Sequence, residues 1–164
     1  RTIPAADRNA MAAFKKKALK LSAAINATRG IMRNMNSKIT TYKAASKSFP
    51  AQQAVDLMND ILSLEQKVQA LGVSLNGDRT LNQLDKDGEY GTGQRAQSAI
   101  FDVFGSTSNI TGTSIRNYDI AADEFGPILQ GVKKLLSEFS SMDQKMDQMG
   151  APLTPDRLPN WKKQ

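Results

Sequence analysis

Apolar residues recur along the first part of the chain in alternating steps of three and four residues. The series is Met11, Phe14, Ala18, Leu21, Ile25, Thr28, Met32, Met35, Ile39 and Tyr42, in which Thr28 is the one polar member. Such spacing places all ten side chains on one stripe of an α-helix, as in a heptad seam. The pattern predicts a helix over residues 7–45, with most of its lysines and arginines facing water.

Two further stretches carry the same spacing. The second series is Ala54, Leu57, Ile61, Leu64, Val68, Leu71 and Leu75. The third is Ile115, Tyr118, Ala122, Phe125, Leu129, Val132, Leu136, Phe139 and Met146, with Asp143 interrupting it. We therefore predict helices over 50–75 and 114–149, the first with Pro50 in its opening turn. Gly77 and Gly150 follow these helices, as C-terminal caps do.

A shorter helix is predicted over 93–104, after a polar stretch at 76–91. Thr92 is a suitable N-cap residue, and Ile100, Val103 and Phe104 would form its apolar face. Pro127 lies inside the last helix, where the missing N–H predicts a kink near residues 123–125.

These elements predict an all-α fold in a single domain spanning 1–164, which ends in a proline-rich tail at 150–164. At 1.5 Å per residue, the first and last helices would each be about 55–60 Å long. The two shorter helices together would match one such length. The economical arrangement is an antiparallel bundle of three rods, and a four-helix bundle with the short helix on one side is the alternative.

Composition excludes several kinds of chemistry. The chain has no cysteine and no histidine, so disulfides, thiolate nucleophiles and histidine-based acid–base catalysis are excluded. The acidic loop around Asp85 and Asp87 can be aligned with the calcium-binding loop of an EF-hand, with Gln83 at position one and the two aspartates at positions three and five. Position twelve is then Gln94, whereas calcium binding needs a bidentate glutamate there. Asp123 and Glu124 are neighbouring carboxylates, but acid–base work needs a pocket that raises one pKa, and residues on the outside of an amphipathic helix seldom have one. We predict no catalytic residue, no metal site and no cofactor.

The positive charge of the chain is concentrated at its beginning. Residues 1–47 contain eleven lysines or arginines and one acid, a net charge of +10, whereas residues 48–164 have a net charge of −4. One interpretation is that a basic first helix packs between more acidic partners. The other is a basic binding face, whose densest part is Lys15, Lys16, Lys17 and Lys20. No aromatic residue interleaves with these lysines on their own helix face, so nucleic acid is not expected.

The tail contains Trp161, the one tryptophan of the chain. Its prolines favour an extended conformation. We expect Leu158 and Trp161 to fold back onto the bundle or onto a neighbouring domain, and a recognition peptide is the alternative. Trp161 joins the four lysines as a candidate interaction residue.

Two segments carry a family resemblance: YDIAADEFGPIL at 118–129 and GAPLTPDRLPNWK at 150–162. They resemble the C-terminal end of large bacterial sortilin-like proteins with an Asp-box (BNR-repeat) β-propeller, often described as glycosyl-hydrolase-like. The opening stretch through residues 26–29 is similar as well, whereas the loop at 77–92 departs from the family pattern. In that family a helical region follows the propeller and a small β domain. Glu124, Phe125 and Pro127 would be structural signature residues.

The resemblance implies a non-catalytic accessory or interaction domain of a larger secreted or cell-envelope protein. Its partners would be the β-rich domains of the same protein, and another protein is possible as well. Because the sequence begins at Arg1 rather than methionine, we expect a processed chain or a fragment. The alternative function is an independent module that binds an anionic polymer or lipid through the basic face of the first helix. No stretch approaches the ~18 apolar residues of a membrane span, and the heptad seams permit self-association.

Overall fold

The computed structural model describes residues 5–78, 90–105, 110–155, 157–159 and 161–163. They form four helices: α1 (Ala5–Ser46), α2 (Ala51–Asn76), α3 (Thr92–Gly105) and α4 (Gly112–Gln148). These residues contain no β-strand, so the predicted all-α helical bundle is confirmed. Each predicted helix end lies within two residues of the observed one. The segment compared with an EF-hand loop, which starts at Gln83, lies mainly within residues 79–89, outside the described residues.

Glycine ends two of the helices through left-handed backbone conformations. Gly77 has a φ of 76° and donates its N–H to the Val73 carbonyl at 2.8 Å, which closes α2. Gly150 has a φ of 72°, and the N–H of Ala151 reaches back to the carbonyl of Met146 at 2.9 Å. The latter arrangement is a Schellman motif. Both glycines are therefore the C-terminal caps that the sequence predicted.

The N-terminal ends of the two shorter helices differ from prediction by one residue. Pro50 precedes α2 rather than lying in its first turn, and its carbonyl accepts the first helical hydrogen bond from the Ala54 N–H. Gly91, not Thr92, is the N-cap of α3: its carbonyl accepts from the Gln94 N–H, and the Gln94 side chain accepts from the Gly91 N–H at 2.9 Å. The Thr92 hydroxyl is engaged elsewhere, with Glu124.

The predicted seams of α1 and α2 are confirmed. In α1 the side chains of Phe14, Ala18, Ile25, Thr28, Met32, Met35, Ile39 and Tyr42 are buried. Thr28 fits this apolar stripe because its hydroxyl donates to the carbonyl of Ala24, 2.9 Å away. In α2 the buried side chains are Leu57, Ile61, Leu64, Val68 and Leu75.

The predicted seam of α4 is wrong at every second position. The buried side chains are Ser114, Ala121, Phe125, Ile128, Val132, Leu135, Phe139, Met142 and Met146. Phe125, Val132, Phe139 and Met146 were assigned correctly. The positions between them lie one residue earlier than predicted, so Leu136 is exposed and Leu135 is buried. The helix continues without interruption past Pro127, and the kink there stays a prediction.

The chain divides into two compact units. The first comprises residues 1–29 and 71–130, and the second comprises residues 30–70 and 131–164. In the first unit Phe14 and Ala18 of α1 pack with Ile100, Ile110 and Tyr118. The rings of Phe14 and Tyr118 meet edge to face, with centroids 5.6 Å apart.

The second unit contains segments of α1, α2 and α4, and charged pairs link them. Lys43 of α1 pairs with Glu65 of α2 at 2.6 Å, and Lys67 of α2 pairs with Glu138 of α4 at 2.6 Å. Inside the unit the Tyr42 and Phe139 rings stack with centroids 6.0 Å apart. All of these contacts lie within one chain.

Candidate functional site

The basic cluster, Lys15, Lys16, Lys17 and Lys20, lies on α1 within the first unit. Lys16, Lys17 and Lys20 are exposed and Lys15 is half-buried. None of the four makes an ion pair with a residue that the structure describes. The sequence therefore located this cluster correctly, and its charge is not neutralised within the described chain.

Aromatic side chains from other helices accompany these lysines. The Lys15 Nζ lies 5.0 Å from the ring centroid of Phe104 of α3, and the Lys17 Nζ lies 4.6 Å from that of Tyr118 of α4. Both distances are within the range of cation–π attraction. Sequence reasoning considered only aromatics on the face of α1 itself and so missed these neighbours.

Phe104 was predicted to belong to the apolar face of α3, and this is wrong. Phe104 and Phe101 are 54% and 66% exposed. Ile100 is partly buried against Phe14 and Ala18, as predicted, and the Val103 side chain lies outside the described residues. The buried residues of α3 are Thr92 and three small residues, Gly93, Ala96 and Ala99. Their three-residue spacing is a signal of close helix packing that could have shown which face is inside.

The lysines further along α1 behave differently. Lys38 forms an ion pair with Asp143 of α4, and Lys43 forms one with Glu65 of α2. Both belong to the second unit. The interpretation that the basic helix packs between acidic partners therefore holds for this part of α1 but not for Lys15, Lys16, Lys17 and Lys20.

The tail is held by a residue that the sequence analysis did not single out. Arg157 is 5% exposed, and its Nη2 donates to the carbonyls of Ala151 at 2.7 Å and Pro152 at 3.0 Å. Its Nε lies 2.9 Å from a carboxylate oxygen of Asp147, although the angle does not meet hydrogen-bond geometry. Arg157 thus fixes the tail to the end of α4. A lone arginine among prolines carries no pattern that would have identified it.

The apolar residues of the tail do not fold back onto the described helices. Leu158 and Trp161 are 90% and 79% exposed. The prediction that they pack on the bundle is therefore wrong, and the alternative, that they contact a neighbouring domain, stays a prediction. Trp161 and Leu153 border an open depression of about 460 Å³ that also includes Arg157. A large apolar surface held in a fixed place is typical of an interaction site.

A second depression, of about 640 Å³, lies between α1 and α4 in the second unit. The carboxylate of Asp143 accepts hydrogen bonds there from the Tyr42 hydroxyl and from Lys38. The carboxylate that interrupted the predicted seam is therefore paired. It links two helices, which is a structural role.

Glu124 has a similar role in the first unit. Its carboxylate accepts a hydrogen bond from the Thr92 hydroxyl at 2.8 Å and lies 3.7 Å from the Arg95 Nε. A negative charge beside the first turn of α3 also interacts favourably with that helix terminus. Glu124 borders an open depression of about 680 Å³ within the first unit, whereas its neighbour Asp123 is exposed and does not line it.

Searches for other site types gave no candidate in the described part of the chain. Groups of three or more Asp, Glu, His or Cys that could hold a metal ion are not found there. None of the described helices combines the length and the apolar character that crossing a membrane requires. No protein-family model matches the chain, and searches of curated proteins and of solved structures found no match either.

Proposed function

We propose that this chain is a non-catalytic helical accessory domain of a larger secreted or cell-envelope β-propeller protein, which it contacts through its C-terminal tail. The observation that carries the proposal is the pairing of a buried anchor, Arg157, with the exposed Leu158 and Trp161. The choice of the larger protein is supported by the resemblance of the tail sequence to sortilin-like proteins.

The tail has the properties of a contact surface rather than of a loose end. An unanchored chain end would lose conformational entropy on binding, and this would weaken the interaction. Arg157 and the Schellman motif at Gly150 order the backbone of the tail before a partner arrives. Exposed tryptophan and leucine side chains then offer apolar area, and tryptophan is enriched among residues that dominate binding energy.

The first experiment identifies the native protein. Antiserum raised against this chain is used to isolate the protein from its source, and the intact mass and N-terminal sequence are measured. We expect a polypeptide several times larger than 17.9 kDa, with Asp-box repeats upstream of this region. A native protein that begins near Arg1 would contradict the proposal.

A second experiment tests the contact itself in that native protein. Trp161→Ala is expected to loosen the helical region, so that limited proteolysis cleaves near residue 150 at least several-fold faster. Val55→Ala is the matched control, since Val55 is also an exposed apolar residue of the second unit but lies on α2. Equal cleavage rates in the two variants would contradict a contact through the tail.

A further inference from the structure

We propose that the surface formed by Lys15, Lys16, Leu19, Lys20, Phe101 and Phe104 binds an anionic lipid surface peripherally. This site lies wholly within the first unit. It involves none of the tail residues, so it stands or fails independently of the proposed function.

The electrostatic part of the argument is an unneutralised charge. From Asp7 to Lys20 the chain carries five cations and one anion. α3 carries one of each, Arg95 and Asp102, and so leaves this surplus unchanged. Each lysine close to an anionic leaflet strengthens binding roughly fivefold.

The apolar part comes from exposed side chains beside those lysines. Phe101 and Phe104 lie three residues apart on α3 and therefore share one side of it. The contact between Lys15 and Phe104 brings that side next to α1. Leu19 is exposed and lies one turn beyond Lys15, on the same side of α1.

The combination favours a lipid surface over an anionic polymer. Lysines with phenylalanine and leucine side chains are the composition that enters the boundary between headgroups and acyl chains. A single-stranded nucleic acid would use open aromatic faces for stacking, but one face of the Phe104 ring lies against the Lys15 ammonium group. Leu19 would have no role in stacking, whereas it adds buried area in a bilayer.

The test is sedimentation of the chain with vesicles of phosphatidylcholine alone or mixed with phosphatidylserine. We expect binding to the mixed vesicles only. The triple variant Lys15→Gln, Lys16→Gln, Lys20→Gln should bind roughly 100-fold more weakly.

Phe101→Ser with Phe104→Ser should weaken binding at least tenfold, and both residues are exposed enough to be changed without loss of the fold. Lys133→Gln with Lys134→Gln, two exposed lysines of the second unit, is the control and should bind like the original chain.

Insertion is measured separately by fluorescence. In a Trp161→Phe background, Phe104→Trp should shift its emission to shorter wavelength with the mixed vesicles and not with phosphatidylcholine alone. The original chain, whose emission comes from Trp161, should show no shift. Four outcomes would each overturn the proposal. They are equal binding to both vesicle types, no binding to vesicles, an unchanged affinity of the phenylalanine variants, and binding to single-stranded DNA in place of vesicles.

Discussion

One acidic residue distinguishes the correct seam of α4 from the incorrect one. Between the shared positions Phe125, Val132 and Phe139, steps of three and steps of four both reach apolar residues. The alternatives are Ala121 or Ala122, Ile128 or Leu129, and Leu135 or Leu136. At the start of α4 the pair Ser114 and Ile115 favours the incorrect seam, because the buried residue there is the serine. The later pair, Met142 and Asp143, favours the observed one. Because burying an unpaired carboxylate is costly, this pair was the signal that favoured the observed seam.

Neighbouring leucines of α4 provide a direct test of that seam. Leu135 is 3% exposed and Leu136 is 45% exposed. We expect Leu135→Ala to lower the free energy of unfolding by about 2–4 kcal/mol, because it leaves a cavity. Leu136→Ala should change it by less than about 1 kcal/mol. Urea denaturation of both variants measures the difference, and the reverse order would restore the seam predicted from sequence.

Arg157 is the residue on which the order of the tail depends. Replacing it with leucine removes two hydrogen bonds to backbone carbonyls and the ion pair with Asp147. Since bonds from charged donors are stronger than neutral ones, Arg157→Leu should lower stability by about 1–3 kcal/mol. Amide hydrogen exchange of Ala151 and Arg157 should also become faster.

The control for the Arg157 variant is Lys162→Gln, which removes a positive charge from an exposed position of the same tail. It should leave hydrogen exchange and the urea midpoint unchanged. Equal effects of the two variants would mean that net charge, and not the buried contacts of Arg157, holds the tail.

At the scale of the elements, close backbone approach fixes where α3 begins. A Cβ on Gly91 would lie 2.1 Å from the Gly77 nitrogen and 2.5 Å from the carbonyl carbon of Asn76. These are backbone atoms that cannot rotate away. The glycine that caps α2 and the glycine that starts α3 therefore lie against each other. From the sequence each glycine reads as a turn residue, and only the folded chain shows that they meet.

Gly91→Ala should destabilise the protein by about 2 kcal/mol or more, because the added methyl group overlaps fixed backbone. Gly30→Ala is the comparison within a helix, since a Cβ there would meet nothing closer than the Arg33 Nη2 at 3.8 Å. It should stabilise the protein by up to about 1 kcal/mol, because alanine favours the helix. Thermal unfolding of the two variants should shift in opposite directions, and a stabilising Gly91→Ala would contradict the close approach.

At the scale of the molecule, both compact units find their packing partners within one chain. Apolar seams like those of α1 and α2 are equally suited to pairing between chains. In the first unit α1 packs with α3 and α4, and in the second it packs with α2 and α4. The buried seam residues of each unit are therefore covered by helices of the same chain.

We therefore expect the chain to be a monomer in solution. Light scattering coupled to size-exclusion chromatography should give a mass near 17.9 kDa at micromolar concentration. A mass twice that value, stable on dilution, would mean that surfaces outside the seams drive association. The exposed Phe101, Phe104 and Trp161 would then be the first residues to substitute.

The sequence by itself determined the fold class, the four helices and their ends to within two residues, and the location of the basic cluster. It could do so because helix periodicity, glycine caps and charge are properties of neighbours along the chain. Tertiary structure alone decided that Phe104 lies beside Lys15 and that Arg157 anchors the tail with its exposed Trp161. It also decided that Lys38 and Lys43 have acidic partners, whereas Lys16 and Lys20 have none among the residues that the structure describes. Each of these depends on which side chains distant in sequence meet, and a periodic pattern that fits two registers equally well does not contain that information.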